Sequence, residues 1–204
     1  MFNTKEKKER ALGVRLMLKP FRSASGKSAM ARRPYPPGQH GKNRRSALSE
    51  VGTQLKEKQK IRFSYGVSEA ALKALFKKAV RNTGVTGQVV VSLLERRLDN
   101  VVFRLGFAPS RSVARQLVNH GHIMVNGKKT NIPSYDVKMK NVISIRPESK
   151  GHALFKDLAE NLKRMNVPVW LRLDLEKIQG EIVGTPKDVE TPFDVNLVVD
   201  YYSK

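Results

Sequence analysis

Residues 22–47 contain no Leu, Ile, Val or Phe and no acidic residue, yet they carry Arg22, Lys27, Arg32, Arg33, Lys42, Arg44 and Arg45 among Gly, Pro and Ser. A stretch of this composition cannot bury enough apolar surface to offset the entropy of ordering it, so it contributes no core of its own. A plain linker between domains has no use for such a series of cations. The segment therefore reads as an extended arm that becomes ordered against phosphates. Within it, Tyr35-Pro-Pro-Gly-Gln-His-Gly41 stiffens the chain locally, because its prolines fix φ and its glycines permit sharp turns.

The positive bias continues beyond the arm. Residues 1–65 hold 17 basic and 4 acidic side chains, 66–150 hold 15 and 5, and 151–204 hold 7 and 9, so the segment charges are +13, +10 and −2, summing to +21. The cationic surface belongs to the first three quarters of the chain and calls for an acidic partner, of which nucleic acid is the commonest. Zero Cys excludes disulfides, cysteine nucleophiles and thiolate metal sites. The opening residues lack a signal-peptide apolar core, and no apolar run is long enough to cross a bilayer, so a soluble intracellular protein without a membrane partner is expected.

Signs of catalysis are weak. Gly26-Lys27-Ser28 echoes a phosphate-binding loop, but Phe21 stands where its first glycine belongs and no apolar strand leads in. No Gly-x-Ser-x-Gly elbow occurs, and no carboxylate pair is singled out for acid–base work. His120 and His122 flank a glycine without a clear third ligand, His40 and His152 lying far off in sequence. The expectation is a protein that is not an enzyme, with no cofactor and no metal.

Helical periodicity organises the middle of the chain. Ser49 to Tyr65 reads as a helix with Leu48, Val51, Leu55 and Ile61 on one side and Lys56, Lys58, Lys60 and Arg62 on the rest. Ser68 N-caps a second helix, with Leu72, Leu75, Phe76, Ala79 and Val80 as its apolar stripe and Lys73, Lys77, Lys78 and Arg81 opposite. Leu94 to Leu105 forms a third, ended by Gly106.

Residues 111–120 lie between a Pro109-Ser110 start and a Gly121 stop. At about 100° per residue, Val113, Ala114, Leu117 and Val118 fall in one arc, while Arg111, Ser112, Arg115, Gln116, Asn119 and His120 fill the other. Such a mixture of charged and neutral donors suits phosphates and base edges. His122 to Val125 then alternates into Asn126-Gly127, the strongest two-residue hairpin signal, and Lys128-Lys129 makes the tip cationic. Val142 to Ile145 adds a strand. Residues 152–165 read as a core helix through Leu154, Leu158, Leu162 and Met165. Val169 to Leu175, Ile178 to Val183 and Val195 to Val199 read as strands. Phe103, Phe107 and Tyr135 are assigned mainly to packing.

The run from Arg97 to His122, followed by Val125-Asn-Gly127, resembles the RNA-binding module named after bacterial small-subunit ribosomal protein four. That module also occurs in pseudouridine synthases, tyrosyl-tRNA synthetases and heat-shock proteins. Outside it, however, Tyr35–Gly41, Gln54–Arg62 with Tyr65-Gly66, Ile132–Tyr135, Pro168–Leu171 and Tyr201–Lys204 resemble the same ribosomal family from about residue 30 onward. The resemblance implies a structural protein of the cytoplasmic ribosome that binds small-subunit (16S) ribosomal RNA early in assembly. It further implies neighbours in ribosomal proteins five and three and in messenger RNA where it enters its channel, with an influence on decoding accuracy. Many members carry a zinc-binding cysteine cluster near the N-terminus, so this chain resembles a zinc-free version. Where the family often has Gly-Asp before the last strand of the module, this chain has Lys140-Asn141.

An RNA-modifying enzyme using the module for targeting would need a catalytic domain larger than the residues beyond it can form. A polycation for DNA or membranes would lack the expected recognition elements. The reading is an α+β chain with a basic, mainly helical domain over 1–93, an α-α-β RNA-binding module over 94–157, and a C-terminal extension over 158–204 that adds a small mixed sheet. The expected RNA-binding residues are Arg32, Arg33, Lys42, Arg44, Arg45, Lys56, Lys58, Lys60, Arg62, Arg104, Arg111, Ser112, Arg115, Gln116, Asn119, His120, His122, Asn126, Lys128 and Lys129.

Overall fold

Glu9 is buried in a chain end rich in cations, and its partners explain the local fold: Oε1 accepts the N–H groups of Leu16 and Leu18 at 3.0 and 3.1 Å. The computed structural model describes residues 5–20, 22, 26–43, 47–152, 155, 158–163, 165–187 and 189–203. Glu9 belongs to α1 (Lys5–Leu12). The arm holds a short helix, α2 (Ala29–Arg32), capped by Ser28, and a 3-10 turn at Gln39–Lys42. Arg10 binds this arm from α1, donating from Nε to the carbonyls of Arg33 and Tyr35 at 3.0 Å each and from Nη2 to Pro36 at 3.3 Å. The arm is thus tied to the chain's own Arg10, where the sequence suggested an extended segment ordered against phosphates.

The next helix, α3 (Glu50–Tyr65), starts at Ser49 as expected but turns a different face inward. Gln54, Glu57, Lys58, Ile61, Ser64 and Tyr65 are buried, whereas Leu48, Val51 and Leu55 are 59%, 56% and 41% exposed. The buried polar residues have partners. Lys58 pairs with Glu69 at 2.9 Å and lies 4.2 Å from the Tyr201 ring, and Glu57 accepts the Asp194 N–H at 3.0 Å. Helix α4 (Glu69–Val80) is capped by Ser68 and buries Leu72, Phe76 and Ala79, while Val80 stays exposed. The stretch Val195–Val199, expected as a strand, is the start of a helix that runs to Ser203. Asp194 Oδ1 accepts the Asn196 N–H at its start, and Tyr202 stacks on Phe76 with ring centroids 4.6 Å apart.

The chain divides into two compact units, Met1–Val90 with Val189–Lys204, and Val91–Asp188. The 158–204 extension is accordingly shared between them.

In the second unit, the expected helix from Leu94 to Leu105 is interrupted. Helix α5 (Thr86–Glu95) stops and α6 (Leu98–Arg104) begins after Arg97, which is extended at φ −66° and ψ 135°. The loop from Ile132 causes the break: the N–H groups of Leu98 and Asp99 donate to the Tyr135 and Pro133 carbonyls at 2.9 and 3.1 Å, and the Arg97 backbone forms an antiparallel β-bridge with Asp136. The apolar stripe runs on across the break, so periodicity alone could not reveal it. Helix α7 (Arg111–Asn119) follows, capped by the Ser110 hydroxyl.

The strands are β1 (Ile123–Val125), β2 (Lys128–Lys129), β3 (Val142–Ile145), β4 (Leu171–Asp174) and β5 (Gln179–Ile182), in the order β2-β1-β3-β5-β4. Every pairing is antiparallel, so the sheet is not mixed, although the α+β class holds. Leu98, Val101, Val102 and Leu105 of α6 and Ala114, Leu117 and Val118 of α7 form the core with Ile123, Ile143, Leu171 and Ile182. Each large side chain buried there contributes roughly 1.5–3 kcal/mol. Gly180 sits where a Cβ would lie 2.4 Å from the Leu105 side chain, so β5 approaches α6 only because that position is bare.

Strands β4 and β5 are shorter than their alternation suggested, with Val169, Leu175 and Val183 exposed. Lys140 adopts φ +65°, the left-handed conformation that a glycine would take without strain, and Asn141 Oδ1 accepts the Lys138 N–H at 2.8 Å. From 152 to 165, the described helix is α8 (Leu158–Lys163). Leu154 lies outside the described residues, and Met165 is exposed. The last helix, α9, is Val195–Ser203.

Candidate nucleic-acid interface

Helix α7 buries Ala114, Leu117 and Val118, which leaves Ser112, Gln116, Asn119 and His120 exposed along its other side. The two arginines of that side are half-buried and braced from beneath. Arg115 donates from Nε and Nη2 to Asp99 Oδ2 at 3.0 and 2.7 Å, and the same carboxylate accepts Nε and Nη2 of Arg97 at 3.2 and 3.1 Å. Arg111 donates from Nε to Asn100 Oδ1 at 2.7 Å, with its guanidinium 4.7 Å from the Phe103 ring centroid. Asn100 in turn donates to Glu95 Oε2 at 2.8 Å, and Arg104 grips Glu95 through Nε and Nη2 at 3.0 and 2.8 Å.

The electrostatic result follows from burial. Between residues 91 and 135 the only acids are Glu95 and Asp99, and both are buried. A buried carboxylate is costly unless paired and hydrogen-bonded, and guanidinium forks meet that requirement. The acids therefore fix the direction of the arginines while the exposed side of α7 keeps its positive sign.

The hairpin completes this surface. Asn126, at φ +49°, accepts the Val142 N–H through Oδ1 at 2.8 Å, so its side chain fastens the hairpin to β3. Lys128 and Lys129 are exposed beside it. Gly121, at φ +73°, lies against Lys129: a Cβ there would stand 2.3 Å from Lys129 Cε. His122 is half-buried, with Nδ1 2.9 Å from the Ser149 hydroxyl. Its pKa is lowered from the ordinary imidazole value, first by burial and then by His152, His120, Arg146 and Lys129.

In the first unit the expected residues divide. Arg32, Arg33 and Lys42 are exposed, and Lys56 is half-buried. Lys60 pairs with Glu57, and Arg62 with Glu69 at 3.3 Å. Lys58 is an internal cation, buried against Glu69 and the Tyr201 ring, so it is not on a surface that RNA could reach. Arg44 and Arg45 lie outside the described residues.

Sequence reasoning passed over Arg97, which shares Asp99, and Arg10, which gathers the arm. The isolation of Glu95 and Asp99 among so many cations was the available signal for the first. Tyr135, assigned to packing, is exposed, and His152 is brought to 5.6 Å from His122 despite its distance in sequence. Among the described residues no group of three His, Cys, Asp or Glu is arranged to hold a metal ion.

A helix pair on an antiparallel sheet, presenting a braced cationic helix side and a lysine-tipped hairpin, defines an RNA-binding module of the kind the sequence resembled. Residues 2–95 match the ribosomal protein S4/S9 N-terminal domain and residues 96–143 match the S4 domain, so the chain belongs to the ribosomal protein S4 family. It is 48% identical over 203 residues to small ribosomal subunit protein uS4 of Chloroflexus aurantiacus, covering 97% of this chain and 96% of that one. It is 50% identical over 184 residues to uS4 of Roseiflexus castenholzii, covering 88% and 89%. With uS4 of Heliobacterium modesticaldum it shares 47% over 194 residues, covering 94% and 93%.

Proposed function

We propose that this protein is a structural component of the small ribosomal subunit in the bacterial cytoplasm, binding small-subunit (16S) ribosomal RNA without catalysing a reaction. The observation that carries the reading is the burial of Glu95 and Asp99 beneath Arg104, Arg111 and Arg115, which keeps both acids off the exposed side formed by Ser112, Gln116, Asn119, His120, Lys128 and Lys129. Because A-form RNA withholds its base edges in a deep, narrow groove, such a surface reads phosphates, 2′-hydroxyls and junction shape in preference to sequence. Arg32, Arg33 and Lys42 of the arm supply a second set of phosphate contacts. Two sets allow one chain to hold several RNA helices and so to nucleate assembly of the subunit body.

The finer placement, beside ribosomal proteins five and three and near the channel through which messenger RNA enters, with an effect on decoding accuracy, rests on family resemblance. A division into a basic domain over 1–93, a module over 94–157 and an extension over 158–204 is the corresponding domain proposal. Crosslinking the protein to cellular RNA and mapping the sites tests the function. Crosslinks confined to one small-subunit ribosomal RNA junction support it, and crosslinks scattered over unrelated RNAs would overturn it.

A further inference from the structure

The end of α7 and the start of β1 bring together three of the chain's four histidines. The His122 ring lies 6.0 Å from His120 and 5.6 Å from His152, centroid to centroid. Phe155 closes one side, its ring 6.5 Å from His122 and 6.3 Å from His152. Two permanent cations adjoin the cluster. Lys129 reaches it from β2 across the bare face of Gly121, and Arg146, at the end of β3, donates its backbone N–H to the His122 carbonyl at 2.9 Å. The Pro147–Ser149 turn contributes the Ser149 hydroxyl, Glu148 and, just beyond, the exposed Lys150. Among the described residues Glu148 is the acid beside the cluster, and it is exposed and engaged with Arg146 at 2.7 Å.

Such a gathering is electrostatically unfavourable in isolation. Protonation of His122 must take place beside Lys129, Arg146 and the His120 and His152 rings, and burial adds its own cost. In the free protein His122 is therefore held below its ordinary pKa. A ligand that relieves the repulsion must be an anion of small cross-section with several acceptor oxygens, and the cluster continues the surface assigned above to RNA.

We propose that the His120–His122–His152 cluster, with Lys129 and Arg146, is a proton-coupled docking site for a backbone phosphate of the bound RNA. This inference rests on the RNA-binding reading and adds to it a specific contact and a thermodynamic signature. Lys129 and Arg146 supply fixed charge. As the phosphodiester settles among them, its negative charge reverses the local balance, and the His122 imidazole takes up a proton from solvent. By linkage, a complex that binds more protons than its separated partners becomes tighter as pH falls.

The test measures Kd for a transcript of the small-subunit ribosomal RNA body junction, using the full-length protein at pH 6, 7 and 8 and constant ionic strength. Binding at pH 6 is expected to be roughly three to five times tighter than at pH 8, since one unit of pKa rise at one histidine approaches tenfold only when the pH lies below both values. The His122→Gln/His152→Gln double variant should lose most of that pH slope, while His40→Gln, on the arm, should keep it. In the unmodified protein, NMR titration of the histidine ring protons should show the His122 pKa rising when the transcript is added. A pH-independent Kd for the unmodified protein, or a double variant with the full slope, would overturn the inference while leaving RNA binding intact. Failure to bind the transcript at any pH would overturn the RNA-binding reading, and this inference with it.

Discussion

Arg115 Nη2 donates to Asp99 Oδ2 at 2.7 Å, joining a side chain that is 34% exposed to a carboxylate that is only 4% exposed. The pair anchors a cation of the proposed RNA surface, since Asp99 also holds Arg97 at 3.1 Å. Removing the carboxylate would leave Arg97 buried without its counter-charge. Asp99→Asn is thus expected to destabilise the module by about 2–4 kcal/mol, discounting the usual cost of breaking a buried pair for the exposure of Arg115. Urea unfolding checks this, and unchanged stability would show that Asp99 is no anchor.

The same geometry changes how charge reversal at Arg115 should be interpreted. Arg115→Glu would place a second carboxylate against Asp99, so a fall in RNA affinity would mix misfolding with the removal of a phosphate-binding group. Lys128 and Lys129 are exposed on β2 and give a cleaner experiment. Lys128→Ala/Lys129→Ala should reduce the slope of log affinity against log salt by roughly 0.7–0.9 for each phosphate that is no longer neutralised, while Lys187→Ala should leave it unchanged. Equal effects from both would mean that binding is diffuse charge attraction.

Lys58 shows where reading charge from sequence misleads. A lysine among Lys56, Lys60 and Arg62 looks like part of a solvated face, yet it is enclosed by Glu69 and the rings of Tyr201 and Tyr202. Lys58→Ala should lower stability by about 1–3 kcal/mol, because Glu69, which also accepts the Tyr202 hydroxyl at 2.8 Å, loses its buried cation and keeps only Arg62 at 3.3 Å. The salt slope of RNA binding should stay as it was, and a shallower slope would return Lys58 to the RNA surface.

These cases mark what the chain made legible. The amphipathic arc of residues 111–120, the Asn126-Gly127 hairpin, the Ser68 cap and the Pro109-Ser110 start are local signals, and each appears where periodicity and capping chemistry put it. The break at Arg97 depends on the loop around Ile132–Tyr135, and the inward face of α3 depends on Glu69 and the C-terminal tyrosines. Those partners are distant in sequence, so the local pattern favoured a longer helix and the opposite face. Val195–Val199 misled for the complementary reason: a short apolar alternation fits a strand, but the Asp194 cap and the seat of Tyr202 on Phe76 select a helix. At the interface, the residue types of the polar arc were visible in sequence, but their bracing by Glu95 and Asp99 was not.

Lys140 gives a stability test away from any charge network. Its φ of +65° costs an L side chain about 1 kcal/mol relative to glycine, partly offset by glycine's larger unfolded-state entropy. Lys140→Gly should therefore raise stability by a few tenths to about 1 kcal/mol in denaturant unfolding. A loss of stability would show that the lysine side chain contributes more than its backbone conformation costs.

The depressed pKa of His122 also predicts how the free protein responds to acid. Burial, followed by the charges of His152, His120, Arg146 and Lys129, favours the neutral ring in the folded state. The unfolded chain therefore binds a proton at a higher pH than the folded one does. Above the unfolded histidine value near 6.5 both forms are neutral and the site is silent. As pH falls below it, the unfolded state gains protons first, and stability declines until the folded ring is also protonated. Folding stability should consequently drop as pH falls below about 6.5 in unliganded protein, and His122→Gln should flatten that part of the profile. RNA carrying a phosphate into the cluster should reverse the trend, making the complex more resistant to unfolding over the pH range in which the free protein weakens. Thermal unfolding at pH 5.5 and 7.5, with and without the junction transcript, measures both signs. A profile that falls equally with and without RNA would place the acid sensitivity elsewhere in the chain.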